Sequence, residues 1–219
     1  MTLWFATGNA HKKAELAAIL ASHGCRHRLL IPKDAGLSFG PDETESTFHG
    51  NALLKARALY DLLLELRPPL FAEGDPVIAD DSGICVDALG GRPGVYSARY
   101  AGAGKLEAGT PGQKKLGDGE RNALLLAELG AAPERTARFV CAMALVFGPD
   151  RFCVFQETFE GEIVKSPELA AGSGGFGYDP VLFIPSFGRT VAELTEDEKN
   201  AASHRGKAGM RAARILKGL

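Results

Sequence analysis

The segment Asp80-Asp81-Ser82-Gly83 has residue types suited to metal-dependent hydrolysis, because two carboxylates follow directly on an apolar run. That run, residues 76–79, predicts a strand leading into the acidic pair. Adjacent carboxylates repel each other unless a cation or a proton compensates them. Because side chains alternate along a strand, Asp80 and Asp81 would point in different directions, so one can bind a metal while the other orients a base or a water molecule. The other interpretation is a plain turn.

A second acidic cluster, Asp42, Glu43 and Glu45, lies in the stretch 36–47, which has the polar composition of a loop. Carboxylates in such a loop either bind a divalent cation or remain solvated. The residues alone are compatible with both.

The residues Thr7-Gly8-Asn9, followed by Lys12, have the pattern of an anion-binding helix start. The apolar run 2–6 predicts a strand, and residues 10–22 predict a helix with Asn9 as its N-cap. A strand, a tight turn and a helix present backbone N–H groups to an anion, and Lys12 adds a cation nearby. The alternative is a capped helix with solvent-facing lysines, and the segment does not match the Walker motif.

Residues 172–177 match G-x-G-x-x-G, but they do not predict a dinucleotide site. The motif lies late in the chain and leads into a strand at 181–184, whereas a dinucleotide fingerprint opens a helix. We interpret it as a flexible loop that presents Phe176 for stacking, with Asp179 close behind. A glycine-rich turn with a core phenylalanine is the alternative.

Lys199, His204 and Arg205 lie in a predicted C-terminal helical region, which opens with a capping pattern at Thr195. Donors on His204 and Arg205 can recognise a carbonyl oxygen on the edge of a base. A surface His-Arg pair is the alternative. A serine hydrolase using Ser82 and His204 has little support, because Ser82 does not lie in a G-x-S-x-G elbow.

The remaining pattern predicts a mixed α/β chain. The predicted strands are 2–6, 28–31, 76–79, 137–147, 152–159 and 181–184, with a hairpin turn at 148–150. The predicted helices are 10–22, 48–66, 120–129 and the region from 195 to about 216. Residues 101–119 are rich in glycine and lysine and predict an exposed loop. We expect a single domain over residues 1–219.

Composition narrows the class of protein. The chain has 219 residues, of which 45% are hydrophobic and 24% charged, which excludes general disorder. A net charge of −2 argues against a broad binding face for duplex nucleic acid. The four cysteines are widely separated, no signal peptide pattern is present, and no apolar run approaches the ~20 residues of a membrane span. We therefore expect a soluble, cytoplasmic protein without a membrane partner.

Taken together, the motif-bearing segments resemble the inosine triphosphate pyrophosphatase family over nearly the whole chain. The matching segments are FATGNAHKKAEL, TFHGNALLKARAL, ADDSGICVDALGGRPGVYSARYAG, GGFGYDPVLFIPS and AELTEDEKNAASHRGKA. The resemblance implies hydrolysis of ITP, dITP or XTP to the monophosphate and pyrophosphate, with Mg²⁺. It also implies an elongated mixed β-sheet flanked by helices, two lobes with the nucleotide cleft between them, and a homodimer.

The resemblance implies roles for individual residues. Asp81 would be the metal-linked general base, Asp80 would lie beside it, and Ser82 would touch the substrate. Lys55 would add a second phosphate-binding cation. Further phosphate contacts would come from Thr7, Gly8, Asn9, Ala10, His11 and Lys12. The base and sugar would be bound by Phe176, Gly177, Tyr178, Asp179, Lys199, His204 and Arg205.

The metal ligands implied by the resemblance are Asp81 and a carboxylate of the family's E-E-T-G-x-T-F segment. That segment reads DETESTF here, with Asp42 in place of Glu and Glu45 in place of Gly. Either Asp42 or Glu43 can therefore be the second ligand. The stretches 67–76 and 101–119 are longer than the family pattern and look like loop insertions.

Two other functions are compatible with the sequence. A related Maf-type pyrophosphatase would act on other modified nucleotides, and a nucleotide-binding sensor would bind without turnover. Both carboxylates and both lysines are present, which argues against the sensor.

We expect His204 and Arg205 to favour the 6-oxo group of hypoxanthine and xanthine over the 6-amino group of adenine, because two donors facing an amino group would be left unpaired.

Overall fold

The structure, a computed structural model, describes residues 1–101 and 116–218. In this part of the chain the fold is mixed α/β, with a seven-stranded sheet in the order β2-β1-β3-β4-β5-β6-β7. The strands are β1 Thr2–Phe5, β2 Arg28–Leu30, β3 Val77–Val86, β4 Thr136–Gly148, β5 Arg151–Ile163, β6 Leu182–Ile184 and β7 Arg189–Thr190. The helices are α1 Ala10–Ser22, α2 Phe48–Leu66, α3 Asp118–Leu129, α4 Glu196–Ala202 and α5 His204–Lys217. Strand β1 pairs in parallel with β2 and β3, whereas β6 pairs antiparallel with β5 and β7, so the predicted mixed sheet is confirmed.

The chain divides into two compact units. The first comprises Met1–Asp81, Cys141–Glu157 and Asn200–Leu219, and the second comprises Ser82–Val140 and Thr158–Lys199. In the first unit, buried side chains from β1, β3 and β4 pack with those of α1 and α5. The core residues of the strands include Leu3, Phe5, Ile78 and Met143, and those of the helices include Leu16, Leu20, Ala208 and Ala212. A single domain over residues 1–219 stays a prediction.

The predicted helix starts near the candidate site are confirmed. Helix α1 begins at Ala10, and the Asn9 side chain accepts hydrogen bonds from the backbone N–H groups of His11 and Lys12. Helix α2 spans the predicted 48–66 and is capped by Thr47. The C-terminal helical region divides into α4 and α5 at Ser203, whose side chain caps α5.

The prediction that a strand ends before the acidic pair is wrong, and so is the plain turn. Strand β3 runs from Val77 to Val86, so Asp80 and Asp81 lie in its interior. Gly83, which favoured a turn in the sequence, permits a close approach instead. A Cβ there would lie 2.4 Å from Ser97 Oγ and 2.5 Å from the Gly94 carbonyl oxygen. The strand continues past Gly83, and Ile84 N donates to Ser97 Oγ.

Smaller differences concern element ends and loops. The predicted hairpin at 148–150 is confirmed, although β5 extends to Ile163. Strand β6 begins at Leu182, because Asp179–Val181 form a short 3₁₀ turn. Most of the loop predicted at 101–119, residues 102–115, lies outside the described residues. No helix among the residues described is both long enough and apolar enough to cross a membrane.

Candidate active site

Asp80 lies between two cations in the first unit. Lys12 Nζ lies 3.0 Å from Asp80 Oδ1 and 2.9 Å from Oδ2. The Arg205 guanidinium donates to Oδ2 from Nη2 at 3.1 Å and from Nε at 3.3 Å. Burial would raise the pKa of the Asp80 carboxyl, but Lys12 and Arg205 outweigh burial and hold that pKa well below its usual range. Asp80 therefore stays ionised, with its charge compensated on both sides.

Arg205 continues this chain of charges to helix α1. Its guanidinium is 1% exposed, and Nη1 donates to Glu15 Oε2 at 2.8 Å. Burial would lower the pKa of Arg205, yet Asp80 and Glu15 raise it above its ordinary value. Lys12, Asp80, Arg205 and Glu15 thus form one alternating series of charges that ties α1 and α5 to β3.

Asp81, the next residue along β3, has different partners. Its Oδ1 lies 3.0 Å from Lys55 Nζ, and its Oδ2 accepts a hydrogen bond from Asn51 Nδ2 at 3.2 Å. Lys55 Nζ also lies 2.9 Å from Glu43 Oε1, so one ammonium serves two carboxylates. The predicted divergence of the two aspartates is therefore observed, because each contacts a different helix.

The charge balance around Asp81 makes this carboxyl group the more basic of the pair. Burial raises the pKa of Asp81, and the nearby Glu43 adds to the rise, although Lys55 opposes it. Burial would lower the pKa of Lys55, but Asp81, Asp80 and Glu43 together raise it. A protonated Lys55 between two carboxylates leaves one negative charge in excess, which a divalent cation can compensate.

The residues around Asp81 fit Mg²⁺. The ion takes oxygen ligands and is commonly held by one or two carboxylates together with substrate phosphates and waters. Asp81 and Glu43 supply two such carboxylates on either side of Lys55. Within the described ranges, no group of three or more His, Cys, Asp or Glu side chains is arranged as a metal cage. Asp42 is exposed, whereas Glu43 is the member of the pair that reaches Lys55.

The start of α1 has an exposed surface next to Lys12. Residues 8–11 are exposed. Asn9 Oδ1 accepts from the N–H groups of His11 and Lys12 at 2.9 and 3.2 Å, and Thr7 Oγ1 accepts from Asn9 N. The chain therefore uses two of the N–H groups predicted to hold phosphate for its own cap. The Lys12 ammonium remains at the surface end of its pair with Asp80, since its side chain is 18% exposed.

The second unit assembles another group of predicted residues. Phe176 is 39% exposed, so the alternative of a core phenylalanine is wrong. Lys199 Nζ lies 5.1 Å from the centroid of the Phe176 ring and 2.6 Å from Asp179 Oδ2. Asp179 Oδ2 also accepts from Phe176 N at 2.9 Å. Asp179 thereby holds the backbone of Phe176 and Lys199 contacts its ring, while Phe176 stays exposed.

The flanking loop residues are anchored within the same unit. Gly177 N donates to Asp118 Oδ2, and the buried Tyr178 donates its hydroxyl hydrogen to the Ser97 carbonyl oxygen at 3.0 Å. Ser82, in β3, is half-buried. In the first unit, His204 and Arg205 are 5% and 1% exposed, so the alternative of a surface His-Arg pair is wrong.

Comparison with known proteins decides the family. A model of the Ham1 family matches residues 3–215. This chain belongs to the Ham1 family. A dITP/XTP pyrophosphatase of Treponema denticola is 44% identical over 218 residues, which cover 100% of both chains. A protein of the same name from Geobacillus kaustophilus is 46% identical over 93% of this chain and 88% of its own.

Solved structures of Ham1 proteins have the same fold. The Staphylococcus aureus Ham1 protein is 32% identical, with a TM-score of 0.79 over 100% of this chain and 99% of its own. A HAM1 protein from Coxiella burnetii is 34% identical, with a TM-score of 0.79 over 100% of both chains. The family resemblance inferred from the sequence segments is therefore confirmed.

Two residues near the aspartates of this Ham1 protein were not singled out by the sequence analysis. Asn51 contacts Asp81, and Glu15 contacts Arg205. Glu15 looks like an ordinary polar residue of an amphipathic helix, and its partner lies 190 residues away. The sequence contained a weak indication of a special role for Asn51, because asparagine is a poor helix former and yet lies inside a strongly predicted helix.

Proposed function

We propose that this Ham1 protein hydrolyses dITP, XTP and ITP to the nucleoside monophosphate and pyrophosphate. The observation that carries the proposal is the different environment of two adjacent carboxylates. The charge of Asp80 is compensated by two cations, Lys12 and Arg205. Asp81 shares one ammonium with Glu43, and its pKa is raised. A carboxylate with a raised pKa is a better general base near neutral pH. Relatives named dITP/XTP pyrophosphatases support the choice of substrate.

In the proposed mechanism Asp81 accepts the proton of the attacking water. The water oxygen bonds to the α-phosphorus, the bond from that phosphorus to the bridging oxygen breaks, and pyrophosphate leaves. Asp81 and Glu43 would hold Mg²⁺, which when bound would neutralise part of the charge of the triphosphate. Lys55 contacts both carboxylates and would add positive charge that stabilises the leaving pyrophosphate.

The phosphate end of the proposal also includes the start of α1. Thr7 to Lys12 combine a helix N-terminus with an ammonium, and both favour an anion. Lys12 is held by Asp80, so its charge is positioned before the substrate arrives. Cations on phosphate carry no information about the base. We therefore assign affinity, and not base selection, to Lys12 and Lys55.

The base end is a separate proposal. The exposed Phe176 can stack on any purine, with Lys199 beside its ring and Asp179 bonded to its backbone N–H. Selection of the 6-oxo group by His204 and Arg205 also remains a proposal. Because the Arg205 guanidinium holds Asp80 and Glu15, a loss of activity in Arg205→Ala is informative only beside a measurement of its stability.

The test is pyrophosphate release from dITP, XTP, ITP, GTP, ATP and modified pyrimidine triphosphates with Mg²⁺. We expect the wild type and the surface variant Glu157→Gln to turn over dITP, XTP and ITP. The Asp81→Asn variant should lose this activity. Preference for a modified pyrimidine nucleotide would instead support a Maf-type activity, and binding without turnover would support a sensor. We also propose a homodimer in the cytoplasm, which light scattering and cell fractionation would test.

A further inference from the structure

Asn51 is a buried polar residue inside a helix. It is 0% exposed, and it is the fourth residue of α2, after the cap at Thr47. Asparagine favours a helix interior less than alanine does, and a buried amide is costly unless its donor and acceptor are both satisfied. Local helix formation therefore does not account for an asparagine at this position, and the explanation lies in the contacts of its side chain.

Both ends of the Asn51 amide are used by the candidate active site. Nδ2 donates to Asp81 Oδ2 at 3.2 Å, and Oδ1 accepts from the backbone N–H of Glu45 at 3.0 Å. The amide is uncharged and short, and it donates to a carboxylate while accepting from a backbone N–H. Leucine would lose both contacts. Aspartate would keep the acceptor but place a second negative charge against Asp81.

Gly50 lies against the same residue, Glu45, of the acidic loop at residues 42–45. A Cβ at Gly50 would lie 2.7 Å from Glu45 Cβ and 2.9 Å from Glu45 Cγ. Any larger residue would therefore push Glu45 away from the start of α2. Asn51 therefore anchors the loop that carries Glu43 by its hydrogen bonds. Gly50 leaves the room that this loop needs, because it has no side chain.

We propose that Gly50 and Asn51 form a docking pair that fixes the acidic loop, residues 42–45, relative to the Asp81 carboxylate. Asp81 is then held on both oxygens, by Lys55 at Oδ1 and by Asn51 at Oδ2. Glu43, two residues before the anchored Glu45, pairs with the same Lys55. Asn51 is thus a positioning residue for the two carboxylates that would bind the metal, and this role rests on the proposed function.

The first test compares Asn51→Leu and Asn51→Asp with Leu63→Ala. Leu63 is fully buried on the same helix, about 18 Å further along, and removing its side chain lowers stability without touching the acidic loop. Mn²⁺ binding by calorimetry and kcat and KM for dITP are measured below the melting temperature of every variant. We expect both Asn51 variants to lose about 10- to 100-fold in Mn²⁺ affinity and in kcat, with KM changed less.

The control and the wild type separate the possible failures. Leu63→Ala should keep metal affinity and kcat within about 2-fold of wild type, since it lies outside the site. Asn51 variants that behave like Leu63→Ala would overturn the positioning role and leave the proposed function intact. A wild type that releases no pyrophosphate would overturn the proposed function, while the Mn²⁺ titrations would still test the docking pair.

Two further comparisons distinguish positioning from general loss of structure. In an Asn51→Leu background, Glu43→Gln should cost far less Mn²⁺ affinity than in wild type, because Glu43 is already displaced. Gly50→Ala should resemble Asn51→Leu, and adding Glu45→Gly should restore binding, because it removes the atoms that the new Cβ meets. Additive effects in the first comparison, or no rescue in the second, would contradict the docking pair.

Discussion

Replacing Asp80 with asparagine tests whether this carboxylate is the counter-ion that holds the first unit together. The variant keeps the shape of the side chain but removes the charge shared by Lys12 and Arg205. Arg205 is 1% exposed and cannot turn to solvent, so its buried charge would lose the Asp80 carboxylate while keeping that of Glu15. Removing one partner of a buried ion pair typically costs about 3–5 kcal/mol.

The remaining partners reduce this cost towards its lower end. Glu15 still compensates Arg205, and Lys12, which is 18% exposed, can reach water. We therefore expect a loss of about 3 kcal/mol at pH 7 and a fall in Tm of roughly 6–12 °C for a chain of this size. The measurement is urea unfolding of wild type and variant, followed by circular dichroism.

The pH dependence adds a second criterion. The pKa of Asp80 is lowered in the folded protein, so its stabilising charge is fully present above the pKa of an unfolded aspartate, about 3.9. The contribution is lost only as pH falls below that value through the lower folded pKa. The difference in unfolding free energy between wild type and Asp80→Asn should therefore be constant from pH 7 to pH 5 and should shrink below about pH 4.

A matched surface variant provides the control. Glu157 pairs with Arg211 at 2.8 Å, but the two side chains are 27% and 51% exposed, so Glu157→Gln should cost about 0–1 kcal/mol. An Asp80→Asn variant no less stable than this control would refute the role of Asp80. So would a stability difference that already declines between pH 7 and pH 5.

The other predictions concern activity. Asp81→Asn should lower kcat for dITP by about 10²–10⁴-fold, and a variant retaining a tenth of the wild-type rate would rule out Asp81 as general base. Lys55→Ala should reduce kcat/KM for dITP, XTP and GTP by similar factors, measured by pyrophosphate release, and a tenfold change in the dITP:GTP ratio would contradict a phosphate role. Phe176→Ala should lower kcat/KM for both ITP and ATP by roughly 5- to 140-fold, from a stacking energy of about 1–3 kcal/mol, and a loss confined to ITP would refute non-selective stacking. Chelation with EDTA should abolish turnover, and added Mg²⁺ should raise the Tm of wild type but not of Asp81→Asn.

The helices near the site were predictable because their signals are local. Helix α2 has the predicted bounds, and Asn9 caps α1 through bonds to residues two and three positions away. The course of β3 was not predictable in the same way. Gly83 resembles a turn glycine in the sequence, and its packing against the segment Gly94–Arg99 appears only in three dimensions.

The charged residues of the site were predictable by type but not by partner. Lys12 and the two aspartates stood out because their motifs place charge at the ends of predicted elements, whereas Lys55 was implied only by the family resemblance. The contact between Glu43 and Lys55 could not be read from the sequence, since it depends on the path of the loop. Glu15 and Asn51 act through contacts with residues 190 and 30 positions away, which no local pattern encodes.

The alternation of β3 explains how two neighbouring carboxylates can have different tasks. Successive side chains of a strand point to opposite faces, so each aspartate is compensated by different helices. Asp80 contacts Lys12 of α1 and Arg205 of α5, and these two cations keep it ionised. Asp81 contacts Lys55 and Asn51 of α2, where Glu43 claims the same ammonium. One residue step along the strand therefore separates a structural counter-ion from a carboxylate with capacity left for a metal ion and a proton.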